Sequence, residues 1–291
     1  MKASVSLFIF LCSTTASFGQ GPFSNDEALK QLYHNFDPAK KTAQWGCTQD
    51  HQSEGPDRLC LYLQGGNIKD DTTVSVSVLL TAQVSEGNAT RIYFATSAKP
   101  SRLHEEFDCH ACVPATGAAV YIWRSQHWEL ESANVAAAYS GGWGGPPTID
   151  LITIGPQKHG LLLSSTHMGQ GFVSSRKELL APLGKSVDEV WSLEDENDNI
   201  NAIDPNDKLL NMPACRASAA IRLLAGDEDA SENSDYYDIE VISRGSSFQD
   251  YNHPVKRENW TEVYTFRDGK YRLSQRTVFT EIKSGGKSTN R

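Results

Sequence analysis

The densest cluster of reactive side chains is His104-Glu105-Glu106-Phe107-Asp108-Cys109-His110-Ala111-Cys112. Its CxxC spacing suits three chemistries. In an oxidising compartment the favoured one is a structural bridge, within the pair or to Cys215. With His104 or His110 the thiols supply three donors for zinc or copper, but no second CxxC or HxxxH completes the set. A neighbouring histidine also suits a redox-active dithiol, because it lowers a thiol pKa. Haem attachment is excluded, since Val113 follows Cys112 where histidine is needed. Cys47 and Cys60 flank a short polar loop and read as a local staple, worth about 3 kcal/mol. With Cys12 assigned to a leader, Cys47, Cys60, Cys109, Cys112 and Cys215 form an odd set, so at least one is free, metal-bound or paired outside the chain.

Oxygen ligands are concentrated in two acidic stretches. Asp195, Asn197, Asn199 and Asn201 alternate as the ligands of a calcium loop do. Ile200 stands where that loop needs glycine, and Asn206 where it needs a bidentate Glu. Asp227, Asp229 and Asp235, ahead of Ile239-Glu240-Val241, form a segment that resembles the Asp-rich loops of extracellular FG-GAP-type propeller repeats. Calcium is the cofactor these donors imply. The competing reading is two solvated acidic loops.

A contact surface is suggested by Ser140-Gly141-Gly142-Trp143-Gly144-Gly145. Gly142 and Gly144 give an adaptable backbone around a large amphipathic anchor, Trp143, suited to a sugar ring or a protein partner. No Lys-Ser/Thr follows, so it is not a phosphate loop. His167 is the remaining binding candidate. His159 and His167 are expected on neighbouring strand ends, where they would meet Ser164 or Ser165. Those serines sit in no Gly-x-Ser-x-Gly elbow, so no catalytic residue is assigned. Gly169-Gln170-Gly171 reads as a bulge or tight turn. Asn88-Ala89-Thr90 and Asn259-Trp260-Thr261 are glycosylation sequons.

The elements that must carry these groups are mostly strands. Ser24 with Glu27 forms a capping box, and Leu29, Leu32, Tyr33 and Phe36 follow at helical spacing, predicting a helix over 25–36 that Pro38 ends. Thereafter the period is two. Val74, Val76 and Val78 alternate with polar residues, and 91–95 follows a turn at 86–88. Segments 119–123 and 128–131, 149–154 and 161–165, and 264–267 and 270–273 form further pairs. The last pair flanks Asp268-Gly269, a strong hairpin dipeptide. The fold class is therefore mainly β, an antiparallel sandwich or propeller-like set of sheets with one short N-terminal helix. The expected organisation is a signal peptide at 1–19, a larger unit at 20–200, a C-terminal β unit at 201–283 and a polar tail at 284–291.

Lys2, the apolar run Val5–Cys12 and the small residues Ser17 and Gly19 have the order of a signal peptide cleaved after Gly19. No later apolar run is long enough to span a bilayer. The chain has 27 Lys and Arg against 36 Asp and Glu, a net charge of −9, which disfavours nucleic acid as a partner. DEALKQLY near the expected new N-terminus, CHAC, and GPQKHGLLL with GQGF together resemble exported β-rich proteins of Gram-negative bacteria, which implies a periplasmic or secreted location. The expected function is an exported, non-enzymatic binding protein, an inhibitor among the options, that recognises a protein or glycan in the envelope or outside the cell. The alternative is a metal- or redox-dependent enzyme centred on Cys109-His110-Ala111-Cys112.

Overall fold

The computed structural model describes residues 21–46, 59, 73–101, 107, 112–169, 171–199, 216–225, 235–247, 256–257 and 259–279. Helix α1 (Asn25–Leu32) is followed by β1 (Thr42–Gln44), β2 (Thr73–Glu86), β3 (Ala89–Pro100), β4 (Ala115–Arg124) and β5 (His127–Tyr139). Then come β6 (Thr148–Gly155), β7 (Lys158–Gly169), β8 (Phe172–Leu183), β9 (Ser186–Asp198) and β10 (Arg216–Leu224). The last are β11 (Asp238–Ser247), β12 (Lys256–Arg257), β13 (Asn259–Arg267) and β14 (Lys270–Phe279). All the pairings among the described residues are antiparallel. β1 to β5 form one sheet in sequence order, and β6 to β14 form a second, with β12 added beside β11. The expected mainly-β class, with a short N-terminal helix, is what the described residues adopt. Strands from both sides of the expected 200/201 boundary share the second sheet.

The first sheet is buried on both faces, which is why β3 and β4 read as continuous apolar runs instead of alternating ones. On its outer face Ile92, Phe94, Ala119 and Tyr121 pack under α1 and the segment before it. Phe23 stacks edge-on against Phe94, Tyr121 and Trp128. On its inner face Tyr93, Ala95, Ala118 and Val120 meet Leu161, Leu163, Leu180 and Val187 of the second sheet. β2 serves both cores through one bulge. Val74, Val76 and Val78 belong to the helix side; the register then slips between Val78 and Leu80, and Leu80 and Val84 join the inner core.

α1 begins as expected, with the Glu27 amide donating to Ser24 Oγ. It ends earlier than Pro38. Tyr33 is already extended at φ −114°, and Asn35 takes a left-handed φ of 51°. Tyr33 instead crosses to the sheet, where its hydroxyl lies 2.6 Å from Thr96 Oγ1. Gly117 makes room: a Cβ there would stand 2.5 Å from Thr96 Oγ1 and 2.8 Å from the Tyr33 hydroxyl.

The second sheet curls. Its outer face encloses Ile154, Leu179, Trp191, Val241 and Tyr271 as a third core. The Tyr237 amide donates to the Ile154 carbonyl across the curl, and the Tyr271 hydroxyl donates to the Tyr237 carbonyl. The hairpin expected at Asp268-Gly269 is present, with φ of 51° and 76°, the pair of left-handed residues that a two-residue turn requires.

Candidate functional site

The inner face of the second sheet changes character along its strands. On β7 the residues Leu161 and Leu163 close the inter-sheet core, and two and four residues on, the same face presents Ser165 and His167. On β8 the register sets Glu178 opposite Leu163 and Arg176 opposite Ser165, so the face of Leu180 continues into Glu178 and Arg176. On the opposing sheet Ala138 is succeeded by Ser140. With side chains that small and polar, the sheets part into a cleft of about 560 Å³. Its lining includes Ala136, Ser140, Ser165, His167, Arg176 and Glu178.

The cleft contains buried polar atoms without partners. Glu178 is 3% exposed; Arg176 Nε lies 3.0 Å from its Oε1 as an ion pair, while its Oε2 makes no hydrogen bond. Ser140, equally buried, stands near enough to favour the charged carboxylate, yet its Oγ completes no bond either. Burial holds the Glu178 carboxyl above its ordinary range, against the opposing pull of Ser140 and Arg176.

The Gly/Trp run forms the adjoining edge. Gly142 and Gly145 exchange backbone bonds at 3.0 and 2.9 Å around a two-residue tip, Trp143-Gly144. Both tip residues are left-handed, at 53° and 69°. That is natural for glycine and costs a bulky residue about 1–2 kcal/mol. Trp143 is 43% exposed. The tip is anchored by the Gly144 amide, which donates to the Cys112 carbonyl, and Gly144 fits so closely that a Cβ would lie 2.2 Å from the Phe107 carbonyl oxygen. Gly142 abuts His167, whose ring carbon would lie 3.3 Å from an added Cβ. The fold thus brings Gly142, Trp143, Gly144 and His167 to one end of the inter-sheet space, with Cys112 beside them.

Other expectations fare differently. His159 and His167 do not meet. They lie on the same strand, eight residues apart, so the extended rise separates them by about 26 Å. Ser164 points to the other face and accepts from Lys177 Nζ. Asp195 and Asn197 lie on β9, a strand that carries the acidic stretch on to Asp198 before any loop. Asp195 faces Lys177 at 3.8 Å, and burial raises its carboxyl pKa. Asn199 is buried, and Asp235 faces Lys158 at 3.5 Å. Asp227, Asp229, Cys47, Cys60, Cys109 and Cys215 lie outside the described residues. Among the described residues no three metal-ligating side chains converge, because a strand spreads successive same-face donors apart. Cys112 is buried and disulfide-bonded, so its sulfur is not a free thiolate.

His159 belongs to a second polar group, which sequence reasoning missed. Glu86 Oε1 accepts from the Tyr93 hydroxyl at 2.8 Å and lies 2.7 Å from His159 Nδ1. Glu86 Oε2 accepts from Arg91, whose Nε and Nη2 grip Glu131 at 2.6 and 3.1 Å. The Arg91 bond holds the Glu131 carboxyl below its usual range, and burial followed by the Glu86 charge drives the Tyr93 phenol upward. Each charge here has an opposite partner, so the group reads as a clamp between the sheets.

No family model, curated protein or solved structure matches this chain. No helix among the described residues is long and apolar enough to cross a membrane.

Proposed function

We propose that this is an exported, non-enzymatic binding protein that takes a side chain or sugar ring of its partner into the inter-sheet cleft, beside the Trp143 tip. One observation carries the reading: a bulky residue is held in a left-handed conformation, half-exposed, at the edge of a cleft with unpaired buried polar atoms. Backbone strain held at the rim of a cleft points to function. Export is part of the same proposal. It rests on the order of Lys2, Val5–Cys12 and Gly19, and it fits a bridged Cys112.

The test is saturable binding of the purified protein to envelope extracts and to a glycan array. Trp143→Ala and His167→Ala are each expected to weaken it at least tenfold. Binding that neither change weakens overturns the reading. So does an absence of saturable binding combined with turnover of any member of a substrate panel.

A further inference from the structure

The polar lining of the cleft is unequal in charge. Glu178, Glu189 and Glu194 face it, against Arg176 alone. Arg176 is already engaged, at 3.0 Å from Glu178 and 3.9 Å from Glu189. The buried Glu178 Oε2 has no donor, and neither does the buried Ser140 oxygen. An unmet buried acceptor is costly, more so when it carries charge. A ligand that brings donors removes that cost, whereas an anion would add to the surplus.

Resting on the reading of this cleft as the binding site, we propose that it receives a hydrogen-bond-donating cation, an alkylammonium or alkylguanidinium group. Glu178 Oε2 and Ser140 Oγ accept from it, and Glu189 and Glu194 supply the surrounding negative field. The space, about 560 Å³, accommodates such a group together with its carbon stem or ring. The small apolar wall of Ala136, Ala137 and Ala138 is suited to that stem. The same chemistry is carried by a lysine or arginine side chain of a protein and by an amino sugar of a glycan.

The experiment titrates the full chain with Nα-acetyl-lysine methylamide, Nα-acetyl-arginine methylamide and glucosamine. Nα-acetyl-norleucine methylamide and glucose are the neutral counterparts. Amide NMR shifts at Ser140, Ser165 and Glu178 report occupancy. The cations are expected to saturate these shifts, with the neutral molecules at least tenfold weaker. Tighter binding by the amino-acid derivatives marks a protein source, and tighter binding by glucosamine marks a glycan. Glu178→Gln and, separately, Ser140→Ala are expected to weaken cation binding, the first by at least tenfold. Equal binding of neutral molecules, unchanged binding by Glu178→Gln, or no shift at these amides overturns the proposal. If that happens while Trp143→Ala still abolishes partner binding, only the cationic assignment falls. If partner binding also survives Trp143→Ala and His167→Ala, the binding-site reading falls with it.

Discussion

His159 Nδ1 lies 2.7 Å from Glu86 Oε1, a bond that ties the start of β7 in one sheet to the end of β2 in the other. Glu86 is 8% exposed and also accepts from Tyr93 and Arg91, so three donors converge on one carboxylate. Removing a carboxylate that satisfies several buried donors leaves them all short. Glu86→Ala is expected to lower stability by about 2–4 kcal/mol. Glu86→Gln should recover part of the loss, because it keeps an acceptor but not the charge. Urea denaturation of the variants measures both, and equal stability of Glu86→Ala and the wild type would remove the clamp from the account.

Glu178 gives a pH dependence with a definite sign. The unfolded chain titrates near the ordinary 4.5, and burial places the folded value higher. Between those values the folded state holds more protons, so this group's contribution to stability falls as pH rises through that window. Arg176 and Ser140 on one side and Glu189 on the other face it, and the first two only partly offset the burial. Glu178→Gln is therefore expected to raise the melting temperature at neutral pH, with the gain vanishing below pH 4.5. Thermal melts of both proteins from pH 3.5 to 8 measure the difference. A gain that is constant across the range would mean that Glu178 does not titrate in this way.

Gly117 allows the Tyr33 hydroxyl to reach Thr96. An added methyl group would overlap both oxygens and push α1 off the sheet. Gly117→Ala is expected to destabilise by about 2–4 kcal/mol, from overpacking and a lost buried hydrogen bond. Faster proteolysis within 21–46, measured alongside the melting temperature, would locate the damage at the helix.

Much of this architecture is written in periodicity. The Val74, Val76 and Val78 alternation, the Ser24 cap and the Asp268-Gly269 turn each act through local chemistry, and each is found where expected. The helix end was not legible, because Tyr33 leaves the helix for a partner 63 residues away. The Gly/Trp run was legible as a loop by its glycines, but its place beside His167 was not, because that contact depends on how the strands are arranged. Glu178 and Ser140 were missed. Their signal was present, as polar residues continuing the inward positions of Leu180 and Ala138, but it has meaning only once the strand register is known. The histidine pairing failed for a related reason: β7 runs unbroken from Lys158 to Gly169, so His159 and His167, expected on neighbouring strand ends, lie near the two ends of one strand.

Trp143 allows backbone strain to be separated from side-chain loss. Replacing it with glycine or alanine removes the same indole, with whatever contacts it makes. The two variants then differ mainly in how well they tolerate a φ of 53°. At ordinary positions alanine is the more stable, because glycine gives the unfolded chain more freedom. In the left-handed region the order reverses, and Trp143→Gly is expected to exceed Trp143→Ala by about 1 kcal/mol. Both should lose partner binding alike, since the aromatic anchor is gone from each. Denaturation midpoints paired with binding isotherms decide the matter. If alanine is the more stable, the tip is not strained in solution; if either variant keeps full affinity, Trp143 is not the anchor.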